Sequence, residues 1–435
     1  MNYYNLKDKK ELVNFKEAAV KGQGKDKGLF FPETIPQFEE NFIQNINQFS
    51  DEEISYQCMK DFIGDEIPEK TARKIAAETI SFDIPLKKIN DKIYILELFH
   101  GPTLAFKDIG ARFMSRTLSY FLKNENRKVT VLAATSGDTG GAVANGFLNA
   151  PGINVVILYP KNRVSAVQEK QLTALGGNIA ALEVDGSFDD CQNLVKLAFS
   201  DEELNSKVFL TSANSINAAR WLPQQIYYLL ALKQWQKLEK ENPVICVPSG
   251  NFGNICAGLL AHFRGLPAAH FIAACNTNDF FPNYIKTQKA EPKETTSTLS
   301  NAMDVGNPSN FVRMLELFHH QFDDLQKKVS AYTINDEKTV KTITEVYEKY
   351  NYILDPHGAV AFASLEEYLK EKPDKKGFFL GTAHPVKFPE TVEKAIHSTI
   401  EIPESLDELM SAEKKTTEIN PDFEELKRFL LNQII

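Results

Sequence analysis

The stretch "KVTVLAATSGDTGGAVANGFLNA", residues 128–150, reads in three parts. "KVTVLAAT" is an apolar, β-branched run with strand character, and "GGAVANGFLNA" follows with helix character. Between them stands "SGDTG", a short turn of small and hydroxyl-bearing residues. A strand that feeds a helix through a tight turn is the repeating unit of a parallel sheet.

The same rhythm continues on both sides. Upstream, the strand candidate "KIYILELF" precedes the amphipathic helix "KDIGARFMSRTLSYFLK". Downstream, "INVVILYP" leads to "SAVQEKQLTALGG", and "IAALEVDG" leads to "FDDCQNLVKLAFS". Further on, "PVICVPSG" precedes "NICAGLLAHFRG", "HFIAACN" is another strand, and "GFFLGTAHP" precedes "ETVEKAIHSTI". These alternations predict an α/β protein: two open twisted sheets, mostly parallel with flanking helices, plus a mainly helical N-terminal region. The expected division is 1–84 for the N-terminal region, 85–242 for a first α/β domain and 243–435 for a second. The polar segment 289–310 is too long for an idle turn and is expected to be a functional loop. The C-terminal "DELMSAEKKTTEINPDFEELKRFLLNQII" reads as exposed helices with a charged connector.

A chain of 435 residues is long for one core, so two or three domains are expected. At 43% hydrophobic and 25% charged residues it can bury a large core. A net charge of -9, with scattered basic residues, argues against nucleic-acid or membrane-surface partners. The five cysteines (Cys58, Cys191, Cys246, Cys256 and Cys275) are odd in number, widely spaced and without a CxxC pair. They read as free thiols of a reducing compartment. With no apolar leader at the start and no run of about 18 apolar residues, a soluble cytoplasmic protein is expected.

Ligands of open α/β sheets bind beyond the carboxyl ends of the strands, so the residues there carry the functional reading. "HGPTLAFKD", His100–Asp108, places Lys107 behind apolar neighbours at a helix start. Both features disfavour an ammonium, and a neutral amine is what Schiff-base chemistry requires. An exposed lysine at a helix start is the alternative. "ATSGDTGGA", Ala134–Ala142, offers Ser136, Gly137 and Thr139 around helix N–H groups, a place for a carboxylate or phosphate or simply a tight turn. "PSGNFGN", Pro248–Asn254, is a second such turn, in which Gly250 and Gly253 admit close approach to the backbone. It is neither a Walker loop nor a GxGxxG fingerprint. "GTAHP", Gly381–Pro385, adds Thr382 and His384 at a late strand end. A lysine, two anion-binding turns and a hydroxyl donor at strand ends fit a pyridoxal phosphate site. No metal-ligand motif is present, and the absence of GxSxG and HExxH argues against a cofactor-free hydrolase.

Taken together, "HGPTLAFKD", "ATSGDTGGA", "NSINAAR", "PSGNFGN" and "TAHPVKF" resemble the threonine synthases. The similarity is to the longer bacterial and fungal form and extends to the N-terminal "VNFKEAAVKGQGKDKGLFFPE". The resemblance implies the fold of tryptophan synthase β-type enzymes, pyridoxal 5'-phosphate as cofactor, and O-phospho-L-homoserine as a small-molecule substrate. It also implies L-threonine and phosphate as products, and a monomer or homodimer is the expected working form. By motif, Lys107 would carry the cofactor covalently. Gly250, Asn251, Phe252 and Gly253, with Asn254, would hold its phosphate, and Thr382 would face the pyridine nitrogen. Asp138 would lie beside the phenolic oxygen, where many relatives of this fold carry asparagine. Ser136, Gly137 and Thr139 would receive the substrate carboxylate. Ser215, Asn217 and Arg220 would lie near the substrate phosphate, for which an arginine offers bidentate recognition. The alternative within the same chemistry is a phospho-lyase that releases an oxo acid, ammonia and phosphate.

Overall fold

A computed structural model describes the chain except residues 124–127, 136 and 434–435. Ser136 of the expected carboxylate turn therefore lies outside the described residues. The chain forms two compact units. The first comprises Met1, Phe31–Phe106 and Trp221–Glu401; the second comprises Asn2–Phe30, Lys107–Arg220 and Ile402–Ile435.

The first unit is built on a six-stranded sheet in the order Val329–Thr333, His270–Cys275, Val244–Pro248, Gly377–Gly381, Ile93–Glu97, Leu86–Lys88. All neighbours are parallel except the last pair. The central strands are buried along their whole length, as the continuous apolar runs "VICVP", "GFFLG" and "IYILE" require when helices cover both faces. The helix Pro356–Glu371 lays Ala359, Val360, Ala361 and Phe362 into that core. Its start is set by Pro356 at the first position and by Asp355, which accepts the N–H groups of His357 and Gly358.

In the second unit five parallel strands run in the order Thr417–Ile419, Ile179–Val184, Ile153–Pro160, Val129–Ala134, Phe209–Thr211. The helix Lys107–Leu122 buries Ile109, Phe113, Met114, Leu118 and Phe121 at helical spacing. Phe121 meets Phe15 of the short helix Phe15–Lys21, with ring centroids 6.1 Å apart. That short helix is started by a reciprocal capping box between Asn14 and Glu17.

The consecutive division 1–84, 85–242, 243–435 is not the one the chain adopts. Sheet pairing decides membership, and the pairings are non-local. Ile93–Glu97 lies just before the helix Lys107–Leu122 in sequence, yet its hydrogen-bonded neighbour is Gly377–Gly381. Thr417–Ile419, from the far C-terminus, extends the second unit's sheet beside Ile179–Val184. The C-terminal helices also differ from expectation. Leu426 and Leu430 of the helix Phe423–Gln433 are fully buried in the second unit's core, because they fall on one face of the amphipathic run. All five cysteines are buried and unpaired.

One buried cation braces the first unit. Arg264 follows the helix Gly253–Phe263 and is 0% exposed. Its guanidinium lies 3.8 Å from the ring centroid of Phe38 and donates to Pro36 O at 2.9 Å, Cys58 O at 2.6 Å and Asp61 Oδ2 at 3.1 Å. Burial pulls its pKa down, and Asp61 opposes that shift. Its fourth acceptor is Gln225 Oε1 at 3.3 Å, and Arg264→Ala leaves all four without this donor. It is expected to lower unfolding stability by roughly 3–5 kcal/mol in urea titration. A loss under about 1 kcal/mol would show that the cluster is not the brace inferred here.

Candidate active site

In the first unit, topology brings three of the singled-out segments to one end of one sheet. Gly377–Gly381 lies between Ile93–Glu97 and Val244–Pro248, with Gly381 opposite Glu97 and Phe379 opposite Cys246. Because the strands are parallel and in register, the chain leaves all three at the same level. "FHGPTLAF", "TAHPVKF" and "SGNFG" start there side by side.

The segment leading to Lys107 is tied down on both sides. Ala105 bridges Ala383, Phe106 N–H donates to Thr382 O at 2.9 Å, and His384 N–H donates to Leu104 O at 3.1 Å. Tyr227 donates its hydroxyl to Phe106 O, and Lys387 donates to Thr103 O at 2.8 Å. Lys387 is 1% exposed, so its ammonium is held inside the fold by carbonyl oxygen. Leu104 takes a left-handed backbone with φ 53°, a strained turn for a leucine that this network holds in place. Tyr227 carried no signal in the sequence. Lys387 stood inside "TAHPVKF" without an assigned role.

Thr382 is 6% exposed at the strand end. His384 beside it is kept neutral: burial, helped by His100, pulls its pKa down to about 4. Its Nδ1 accepts the Val386 N–H at 3.2 Å, so it acts as a turn cap. Glu97 is buried at the base of the loop and faces His100 at 2.6 Å, Tyr352 at 2.6 Å and Lys87 at 3.0 Å. Burial pushes its pKa up, but these three partners outweigh it and hold the carboxyl below its ordinary value.

The turn Ser249–Gly253 opens the helix Gly253–Phe263 from a left-handed Phe252 at φ 62°. Its first turn holds no acidic residue, and the first N–H groups of a helix have no carbonyl partner within it. A Cβ on Gly250 would lie 2.6 Å from Met303 Cα, so only glycine fits there. Asn251 and Asn254 brace the turn rather than reach outward with their amides. Asn251 Oδ1 accepts Ser309 N–H at 2.6 Å; Asn254 Nδ2 donates to Pro248 O at 2.8 Å, and its Oδ1 accepts Ile255 N–H at 2.9 Å. The long 289–310 segment supports this turn from below, through Met303, Ser309 and Asn310. It is stitched in turn by Asp304, which accepts from Thr298, Asn276 and Asn278. Gly250→Ala pushes the new methyl group against backbone and is expected to cost about 1–3 kcal/mol in thermal unfolding.

In the second unit, Lys107 is the first residue of its helix, and its side chain is 15% exposed. Its Nζ lies 3.7 Å from Asp138 Oδ2, a loose ion pair. Asp138 opens the next helix, Asp138–Phe147, and its Oδ1 accepts from Gln168 Nε2 at 3.0 Å. The expected carboxylate turn is modified by Thr135. That hydroxyl already accepts the N–H groups of Gly137 and Gly140, at 3.0 and 2.9 Å. Gly137 N–H is thus already partnered, and Thr139 in the same turn is half-buried.

Arg220 lies against the helix that Lys107 opens, because a Cβ on Gly110 would sit 2.7 Å from Arg220 O and 3.1 Å from its Nε. It is 3% exposed, and Nη1 donates to Ala213 O. Ser215 is half-buried in the preceding turn. Asn217 lies deeper than the other two. It is 0% exposed, and its amide is used on Ala19 O, Ser212 O and Ala219 N–H. It fastens the end of the helix Phe15–Lys21 to the turn that presents Ser215 and Arg220.

For pyridoxal phosphate, the second unit offers an amine at Lys107, and the first offers a helix N-terminus free of acid at Gly253 and a small neutral hydroxyl at Thr382.

Comparison with known proteins agrees with this chemistry. The family model for pyridoxal-phosphate dependent enzymes matches residues 77–378, and those for the threonine synthase N terminus and C-terminal region match 2–80 and 358–430. The threonine synthase of Haemophilus influenzae is 44% identical over 99% of this chain and 100% of its own. The crystal structure of threonine synthase from Escherichia coli superposes with a TM-score of 0.91 at 43% identity, covering 99% of this chain and 100% of that one. The pyridoxal-phosphate-bound threonine synthase from Brucella melitensis gives 0.93 at 32% identity, covering 99% of each. Full-length identity and all three family regions lead to one conclusion: this chain belongs to the threonine synthase family of pyridoxal-phosphate dependent enzymes.

Proposed function

We propose that the chain converts O-phospho-L-homoserine and water into L-threonine and phosphate, in the cytoplasm, with Lys107 as the residue that carries the cofactor. The observation that carries this reading is the setting of Lys107: first in its helix, 3.7 Å from Asp138, and one turn before the close approach of Arg220 at Gly110.

When bound, pyridoxal phosphate supplies an electron sink for carbanions formed on the substrate. Its phosphate is assigned to the N–H groups of the turn at Gly250, Asn251, Phe252 and Gly253, with Asn254 locking the turn. Thr382, a neutral hydroxyl, is assigned to the pyridine nitrogen. Unlike a carboxylate, it does not force that nitrogen to take a proton, which moderates the sink. Lys107 Nζ would remove the α-proton and return protons in later steps. Thr139 and the N–H groups of its turn hold the substrate carboxylate. Arg220, with Ser215, holds the substrate phosphate and neutralises charge as that group leaves. Asn217 moves from ligand to support in this scheme.

The test is a visible spectrum of purified, cofactor-loaded protein before and after O-phospho-L-homoserine, coupled to product analysis. A spectral change with equal yields of threonine and phosphate is expected. Oxo acid and ammonia in place of threonine would turn the reading into a phospho-lyase.

A further inference from the structure

We propose that Gln168 is a positioning residue that fixes which oxygen of Asp138 faces Lys107; this rests on the assignment of Lys107 as the cofactor lysine. Gln168 lies in the helix Ala166–Thr173 and is 4% exposed. Its carboxamide is oriented by its own helix start. Oε1 accepts the Ser165 N–H at 3.2 Å, while Ser165 Oγ accepts the Gln168 N–H at 3.4 Å. With Oε1 committed to a donor, the other end of the amide must be Nε2, and it donates to Asp138 Oδ1 at 3.0 Å.

That bond divides the carboxyl group. Oδ1 faces an N–H, so a proton there would meet a donor rather than an acceptor. Oδ2, 3.7 Å from Lys107 Nζ, is the atom on which a proton can rest or be passed. A capping glutamine needs only its Oε1 and has no reason to extend its Nε2 into a buried carboxylate. Room for this reach comes from Gly137, at φ 136°, where a Cβ would lie 2.5–2.8 Å from the Gln168 carboxamide atoms. Any other residue at 137 would push the amide off Asp138.

Asp138 is the charged residue of its own helix, and Lys107 is its ion-pair partner. The helix Lys107–Leu122 also carries Asp108, Arg112 and Arg116. On the helix of Gln168, Glu169 pairs with Lys414 at 2.8 Å and Lys170 donates to Ala412 O, so neither is committed to Asp138.

The test uses full-length, cofactor-loaded enzyme. Gln168→Met keeps side-chain length and removes the donor; Ser165→Ala weakens the helix cap and keeps the donor. The readout is the pH at which the visible band of the cofactor carried on Lys107 changes form, with borohydride labelling mapped in the same preparations. A donor on Oδ1 favours the carboxylate, and that charge favours a protonated Nζ. Gln168→Met is therefore expected to move the transition down by about one pH unit, with Ser165→Ala at the parental value. Gln168→Asn, one carbon too short to span both partners, serves if Gln168→Met does not fold, with the same shift expected. An unmoved transition with label still on Lys107 overturns the role of Gln168, as does an equal shift in both variants. Label on a different lysine overturns the assignment of Lys107 instead.

Discussion

Lys107→Ala is expected to leave a folded protein that turns over O-phospho-L-homoserine at least about three orders of magnitude more slowly, because covalent attachment and proton transfer are lost together. Lys107→Arg should be no better: it restores the charge beside Asp138 without an amine able to form the bond, and so separates chemistry from electrostatics. Borohydride reduction of the parent, followed by peptide mapping, should place the pyridoxyl group on Lys107. The nearest competitor by burial is Lys387, also within a singled-out motif. Its amine donates to Thr103 O at 2.8 Å and the residue is 1% exposed, whereas the Lys107 side chain is 15% exposed and its ion pair is loose, at 3.7 Å. Label on Lys387 would sink the assignment. Stability should change little in Lys107→Ala, since the side chain is partly exposed and its ion pair with Asp138 is loose, at 3.7 Å. A protein that fails to fold would mean that Lys107 is structural.

The sequence made the alternation of strands and helices legible because each central strand is a continuous apolar run and each helix has one buried face. "VTVLAA", "INVVILYP" and "VICVP" all form strands where their apolar runs predict them. What periodicity could not show is which strands pair. The insertion of Gly377–Gly381 between Ile93–Glu97 and Val244–Pro248 joins segments far apart in the chain, and a local pattern is blind to that. Three-residue strands such as Phe209–Thr211 and Thr417–Ile419 are too short to carry an alternation at all. At the site, Lys107 was visible because its charge is out of keeping with its apolar surroundings, whereas Asp138 and Arg220 stood out only through the motifs that resemble the family, since Arg220 on its own reads as a solvated helix residue. Thr135, Gln168 and Tyr227 were not visible. A threonine, a glutamine and a tyrosine look alike whether they face water or hold a buried partner, and only the geometry tells which. Asn217 shows the converse: the motif marks it for the substrate, and the geometry adds that its amide is hydrogen-bonded within the protein.

Arg220→Ala is the second large effect expected, and it should separate substrate from cofactor. A guanidinium at 3% exposure is costly to keep unless its charge is used. Its main-chain neighbours fix where it points: Nη1 is tied to Ala213 O, and Arg220 N–H donates to Asn217 O at 3.0 Å. A charge-assisted contact to a leaving phosphate contributes roughly 1.5–3 kcal/mol, so kcat/KM should fall at least about tenfold. The phosphate turn at Gly250 is a different segment, so cofactor content should stay near the parental level. Arg220→Lys is the sharper variant. It keeps a cation but loses the planar fork that matches phosphate oxygens, and it should recover less than half of the lost free energy, roughly 1 kcal/mol. Inorganic phosphate offers an independent check. It should compete with substrate in the parent and lose most of that competition in Arg220→Ala. If cofactor is lost instead while cofactor-saturated enzyme keeps its kcat/KM and its inhibition by phosphate, Arg220 serves the cofactor side, and the substrate phosphate must be held elsewhere.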